Sequence, residues 1–438
     1  MSPPVDLVPS DLALPVRADV VIVGGGIIGV CTALHLAEKG LSVALCEKGR
    51  IGGEQSSRNW GWCRTMGRDT REIPLAIESL RLWRGMNQRT ARETGFRQAG
   101  IVYLCETEQE VAGQEEWLAD ARQYQLDAGI LRGTEVDAVV PGASRMFVAA
   151  LHTPSDGRAE PSQAAPAIAE AAREAGAAIL TGCAVRGIET QGGCVAGVVT
   201  EKGRIAADAV VVAGGAWSRL FCGNAGVELP QLKVLGSVFR TAPLDSGPEI
   251  SAAGSVFAFL KRLDGGYTIA RRNANVADIT PDSFRLLLQY LPTLRRNYGE
   301  VRLRLGRRFV EEWGIRRRRA LDEATPFEAM RVLDPAPREA TLDKARSVLS
   351  RTFPAFARMQ VAESWAGLID VTPDAVPVIG GVSEIPGLFI ATGFSGHGFG
   401  VGPGAARLAA DLVAGDTPIV DPTPFRFSRF TEGRGKAT

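Results

Sequence analysis

One short turn, Gly24-Gly25-Gly26-Ile27-Ile28-Gly29, constrains this chain more than any other feature. An apolar run at 18–23 precedes it, long enough for a buried parallel strand. Behind it, residues 30–39 place Val30, Ala33, Leu34 and Ala37 on one helical face, with Gly40 as the stop. A second apolar run at 41–46 ends at Glu47. Strand, G-x-G-x-x-G, helix, strand and acid therefore follow one another within about 30 residues, the order of a dinucleotide-binding unit. Gly24 permits the tight turn, Gly26 lets a pyrophosphate approach bare backbone, and Gly29 lets helix and strand pack closely. The helix start offers free N–H groups and a positive dipole end to phosphates. Glu47 can accept hydrogen bonds from ribose hydroxyls and disfavours a 2′-phosphate, so FAD or NAD is preferred to NADP.

The rest of the chain chooses between those two. Residues 52–69, GGEQSSRNWGWCRTMGRD, break the strand–helix alternation that a nicotinamide dehydrogenase would continue. Nucleotide-domain pattern then returns: a helix is predicted at 161–176, a strand at 178–181, and a further strand from Ile205 that ends in Ala213-Gly214-Gly215-Ala216-Trp217-Ser218. Near the C-terminus a strand at 388–392 runs into GFSGHGFGVGPG at 393–404, followed by a helix at 405–414. A glycine-rich loop feeding a helix start can stabilise the negative charge that a reduced flavin develops, which points to FAD.

These segments, together with WAGLIDVTPDAVPVIG at 365–380, resemble the D-amino acid oxidase and glycine oxidase family of FAD-dependent amine oxidoreductases. Sarcosine oxidases and D-amino acid dehydrogenases belong to the same group. The resemblance implies an α/β fold, a Rossmann-like GxGxxG FAD-binding domain interleaved with an α+β substrate domain on a mixed β-sheet. The FAD-binding pieces are expected at 18–95, 150–228 and 360–425, and the substrate domain at 96–149 and 229–359. Strands at 102–105, 255–260 and 267–270 and a helix at 284–290 are expected in the latter. The implied reaction oxidises the C–N bond of a small amine or amino acid (a D-amino acid, an N-methyl amino acid or an imino acid). Hydride passes to flavin N5, the imine hydrolyses, and oxygen or an electron-transfer acceptor takes the electrons. Two other readings stay open: an FAD-dependent 2-hydroxy acid dehydrogenase, and a flavin-binding subunit of a heteromeric amine or opine dehydrogenase.

Carried over by position, the resemblance implies flavin contacts from Gly24, Gly26, Ile27, Ile28, Gly29, Glu47 and Lys48. It adds Ser56, Ser57, Asn59 and Gly61 from the interrupting segment, then Val185 near the adenine and Ala213, Gly214 and Trp217 near the pyrophosphate. Gly367, Gly396, His397, Gly398 and Gly400 are expected near the isoalloxazine, with His397 as a hydrogen-bond donor. In the glycine oxidase branch a carboxylate-binding arginine lies just before the TPD turn, where this chain has Ile369 and Asp370. The carboxylate clamp is therefore expected from Arg64, or from Arg271 or Arg272 at a strand end. In the other reading Asp370 faces the substrate and prefers a cationic amine. Cys63 reads as a buried thiol in preference to a covalent flavin attachment, and the arginine run at 316–319 as a solvated face.

Composition excludes several classes. The formal net charge of +1 argues against a dedicated nucleic-acid binder. The histidines, His35, His152 and His397, have no metal-ligand spacing, and no cysteine pair forms C-x-x-C, so no metal is expected. His35 reads as a packing residue. No signal peptide and no membrane-spanning run are legible, so a cytoplasmic protein is expected, with room for a homo-oligomer.

Overall fold

A computed structural model describes residues 2–296, 301–430 and 432. The strand Arg17–Val23 leads through the glycine turn into the helix Ile27–Glu38, and the strand Val43–Cys46 follows in parallel pairing with the first. Ala178–Leu180 pairs parallel with Val43–Cys46, while Gly203–Val212 pairs parallel with Arg17–Val23 on its other side. Leu388–Thr392 extends the parallel array beyond Gly203–Val212. Three sequence segments more than a hundred residues apart thus build one eight-stranded sheet, completed by antiparallel strands.

The first helix is apolar all round and is buried from Ile27 to Ala37. Its surroundings require this, because it lies among the sheet and the helices Pro161–Glu174 and Gly398–Ala414. A helix enclosed on every side gains from apolar residues at every position. His35 lies in that helix, buried, with Arg89 Nη2 2.9 Å from its Nδ1.

The second sheet has ten strands. Ile101–Cys105, Phe257–Lys261 and Tyr267–Arg271 are among them, close to the predicted positions. A cluster of Phe257, Phe259, Tyr267, Phe353 and Phe356 packs one face, with the rings in edge-on and tilted contacts. The strand Val361–Val371, grouped from the sequence with the FAD-binding pieces, runs in this sheet, antiparallel to Leu232–Thr241. The predicted helix at 284–290 is two helices, Pro281–Arg285 and Leu287–Arg296, separated at Leu286. Within the arginine run, Arg316 and Arg318 are exposed and Arg317 reaches Glu228 at 2.7 Å.

No helix among the described residues is long and apolar enough to cross a membrane. Nor do the described residues hold a group of three or more His, Cys, Asp or Glu side chains able to bind a metal.

Candidate active site

A cavity of about 410 Å³ lies where the carboxyl ends of the parallel strands meet the ten-stranded sheet. Val23, Cys46, Val212 and Thr392 end strands of the first sheet there, while Val234, Val238, Arg271 and Gly367 come from the second. Ligands of open parallel sheets bind outside the carboxyl ends of the strands, so this is the expected place for one.

At one end stands the glycine turn. Gly24 adopts φ +115°, and a Cβ there would lie 2.5 Å from the Ala213 carbonyl oxygen. A Cβ on Gly29 would lie 1.9 Å from the Gly24 carbonyl oxygen, so the turn closes only without side chains. Gly29 therefore shapes the cavity without lining it, and Ser57 and Gly61, also expected at the flavin, lie behind the wall. Ser57 Oγ donates to the Glu54 carbonyl at 3.2 Å, and the Gly61 carbonyl accepts from Ala159 N–H at 2.8 Å.

Gly24, Gly26, Ile27, Ile28, Glu47, Lys48, Ser56, Asn59, Val185, Ala213, Gly214 and Trp217 all line this end. Glu47 accepts from the amides of Gly25 and Gly49, each at 2.7 Å, which fixes its carboxylate beside the turn. Lys48 lines the cavity with its charge already matched within the chain. Its ammonium is 2.6 Å from Glu54 Oε1, donates to the carbonyls of Met330 and Arg331, and lies 4.7 Å from the centroid of the Trp217 ring. Glu54 also accepts from Trp217 Nε1 at 3.0 Å and from Leu333 N–H at 2.9 Å. Nothing in the local sequence pattern marks Glu54 as this hub, because two of its partners, Trp217 and Leu333, come from distant segments.

The other end holds Trp60, Trp62, Arg64, Arg68 and Arg271. Arg64 donates to the Met66 carbonyl and sits 5.7 Å from the centroid of the Tyr103 ring. Arg271 has a buried Nε without a hydrogen-bond partner, and burial together with nearby Arg302 lowers its pKa. Arg272, its alternative from the sequence, does not line the cavity and instead lies 4.6 Å from the centroid of the Tyr103 ring.

Arg68 was not singled out in the sequence. It is 3% exposed, its Nη1 is buried without a partner, and burial and the neighbouring Arg64 bring its pKa down to about 10. It lies in an irregular turn, where neither helical nor strand periodicity could assign it a face.

Gly367, Gly396, His397, Gly398 and Gly400 line the wall between the two ends. His397 caps the helix Gly398–Ala414 and brings Nδ1 to 3.3 Å from the buried Glu72 Oε2. Burial first, and then Arg68, depress the imidazole pKa, which keeps His397 neutral near pH 7.

Asp370, expected to face the substrate in one reading, lines the cavity but has its carboxylate engaged within the chain. It is 2% exposed, and its Oδ2 accepts from Gly393 N–H at 2.7 Å, Gln231 Nε2 at 2.8 Å and Thr392 Oγ1 at 3.1 Å. Three donors on one oxygen commit the group to joining the strand Val361–Val371 to the loop after Leu388–Thr392. Cys63 is fully buried, and burial pushes its thiol pKa well up.

The profile of the FAD-dependent oxidoreductase family, DAO, matches residues 19–412, and the chain belongs to that family. It is an FAD-dependent enzyme of the amino acid and amine oxidoreductase group. Its sequence is 27% identical to the glycine oxidase of Pseudomonas aeruginosa, over 93% of this chain and 97% of the relative. Its structure matches the L-amino acid deaminase of Proteus myxofaciens, solved in complex with anthranilate, with a TM-score of 0.95 and 35% identity over 98% of this chain and 97% of the other. The L-amino acid deaminase of Proteus vulgaris matches with a TM-score of 0.93 and 34% identity, over 97% of this chain and all of the other.

Proposed function

We propose that this enzyme oxidises the C–N bond of an α-amino acid of the L series, giving the 2-oxo acid and ammonia after hydrolysis. The observation that carries this reading is Arg271, a cation on the cavity wall with no acidic partner among the described residues. A guanidinium matches a carboxylate with two parallel hydrogen bonds. The likeness to two Proteus L-amino acid deaminases supports the L series, which the sequence alone did not suggest.

The residues fit FAD. The glycine turn has no room for a side chain against the Ala213 carbonyl, and Glu47 stands beside it where ribose hydroxyls would reach. Gly24, Gly26 and Gly214 would hold the pyrophosphate, Val185 and Trp217 the adenosine side, and Gly396, Gly398 and Gly400 the ring system. When bound there, FAD would supply the two-electron oxidation of the substrate carbon.

Arg271 would bind the substrate carboxylate and so fix the orientation of the α-carbon in the cavity. Trp60 and Trp62 narrow the cavity and limit water around the reacting carbon. His397, held neutral, offers a hydrogen-bond donor without adding a second positive charge, and the helix start at Gly398 favours negative charge beside it. Asp370 holds the wall in place and makes no substrate contact.

Anaerobic bleaching of the flavin by a panel of L- and D-amino acids, N-methyl amino acids and 2-hydroxy acids tests this. Bleaching by L-amino acids is expected. Bleaching by 2-hydroxy acids alone, or by the D series alone, rejects the reading. Turnover with oxygen and with a dye in parallel then identifies the acceptor class.

A further inference from the structure

Arg64 reaches the cavity wall from an irregular turn, and that turn rests on a buried carboxylate. Asp156 is fully buried and spends both oxygens on the turn. Its Oδ1 accepts from Thr65 N–H at 2.7 Å and from Thr65 Oγ1 at 2.9 Å, and its Oδ2 accepts from Met66 N–H at 3.2 Å. Burial raises its pKa to about 6, so near pH 7 the group is an anion and both oxygens act only as acceptors. The anchor is itself fixed between the strands Ala149–Thr153 and Gly157–Arg158. Its N–H donates to the Thr153 carbonyl at 3.3 Å, and its carbonyl accepts from Gly100 N–H at 2.9 Å. Gly157–Arg158 in turn pairs with Trp62–Cys63, the strand that leads into the turn.

A continuous path of hydrogen bonds runs from this anchor to the cavity. Met66 N–H donates to Asp156, and the Met66 carbonyl accepts from Arg64 Nη1. One residue thus ties the buried anion to the guanidinium. Gly67 adopts φ +63°, and a Cβ there would crowd Arg64 Nη1 at 3.2 Å, so the turn closes over the guanidinium best without a side chain. Beyond Gly67 the turn has a separate fastening, Trp117 Nε1 donating to the Arg68 carbonyl at 2.8 Å. Loss of the Asp156 contacts would therefore free the Arg64 half of the turn while the Arg68 half stays held.

We infer that Asp156 is a positioning residue for the substrate site: through Thr65 and Met66 it fixes the Arg64 guanidinium on the cavity wall. Asp156 does not line the cavity and acts only through Arg64. Arg64 has no carboxylate partner among the described residues, and its guanidinium contacts are the Met66 carbonyl and the Tyr103 ring. A cation held in place in a partly dehydrated cavity attracts a carboxylate ligand without first having to be ordered. The inference rests on the reading that the cavity takes α-amino acids, whose carboxylate supplies the anion, and it leaves the redox step unchanged.

A double-mutant cycle on the holoenzyme tests this, with pentanoate as an unreactive carboxylate titrated by the flavin absorbance shift. Arg64→Met is expected to weaken pentanoate binding by about tenfold and Asp156→Asn by about fivefold, each with FAD content retained. Beside Arg64→Met, adding Asp156→Asn should change the affinity by less than about twofold. Thr65→Val removes one donor to Asp156. It should cost about threefold in the parent and nothing further beside Arg64→Met, and it carries the test if Asp156→Asn does not fold. With an L-amino acid as substrate, Asp156→Asn should raise KM and leave kcat within about twofold. Unchanged pentanoate affinity in Arg64→Met or in Thr65→Val overturns the inference. So does an Asp156→Asn loss that persists undiminished beside Arg64→Met, or one that comes with loss of FAD, because the residue would then serve the fold at large. Pentanoate is not oxidised, so the expected cycle without flavin bleaching by any amino acid supports the positioning role and rejects the proposed reaction.

Discussion

The two ends of the cavity are built on opposite electrostatic plans. At the nucleotide end, charge is settled within the chain: Lys48 meets Glu54, Arg331 meets Glu201, and Glu47 is fixed by two backbone amides. At the substrate end, donors are left buried and unanswered on Arg68, Arg271 and Trp62. A cofactor that stays in place needs a cradle of fixed shape, whereas a ligand that enters and leaves needs groups that become satisfied only on its arrival.

The sharpest test of the cradle is Gly29→Val. A side chain there meets the Gly24 carbonyl, and the variant is expected to yield no folded flavoprotein, read as absent 450 nm absorbance in the purified chain. Normal FAD content would show that the turn is looser than its geometry. Next in size is Arg271→Met, which should lower kcat/KM for α-amino acids by about 100-fold with FAD content unchanged. An equal loss of FAD would erase the distinction between the two ends. Glu47→Gln should act in the opposite sense, weakening FAD by about tenfold, measured by flavin release on dilution, while leaving the order of substrate preference intact.

The smallest effect concerns His397. Its pKa is depressed in the folded protein, so the stability it contributes is fully present above its unfolded value of about 6.5 and is lost as pH falls through the lower folded value. Thermal unfolding of His397→Gln across pH 5–8 should lack that part of the acid-side decline, by on the order of 1 °C. A decline identical to that of the parent would show that His397 titrates normally and is not held neutral.

Sequence legibility followed the same division. The nucleotide end could be read because its parts are neighbours in the chain, strand, turn, helix and acid in order, and each has a local signature. The helix predicted at 405–414 begins at Gly398 instead. Gly398, Gly400, Gly402 and Gly404 argue against a helix by propensity, and Pro403 does so more strongly. Packing overrides propensity here: a Cβ at Gly400 would lie 2.6 Å from the Trp62 carbonyl, and one at Gly404 2.8 Å from that of Leu75. The substrate end was less legible because it is assembled from remote pieces. Arg68 becomes a candidate only when its turn and the end of the strand Tyr267–Arg271 are seen to line one cavity, and the engagement of Asp370 shows only when Gln231 and Gly393 are seen to hold it.

The Asp370 junction also bears on how the enzyme can move. One oxygen takes donors from the Gly393 amide and the Thr392 hydroxyl on one segment and from the Gln231 side chain on another, and burial raises the cost of leaving it charged without them. Prising the wall from the loop there would strip all three donors from a dehydrated anion at once. The wall and the loop therefore travel as one piece, and the shape of the cavity on this side is set during folding.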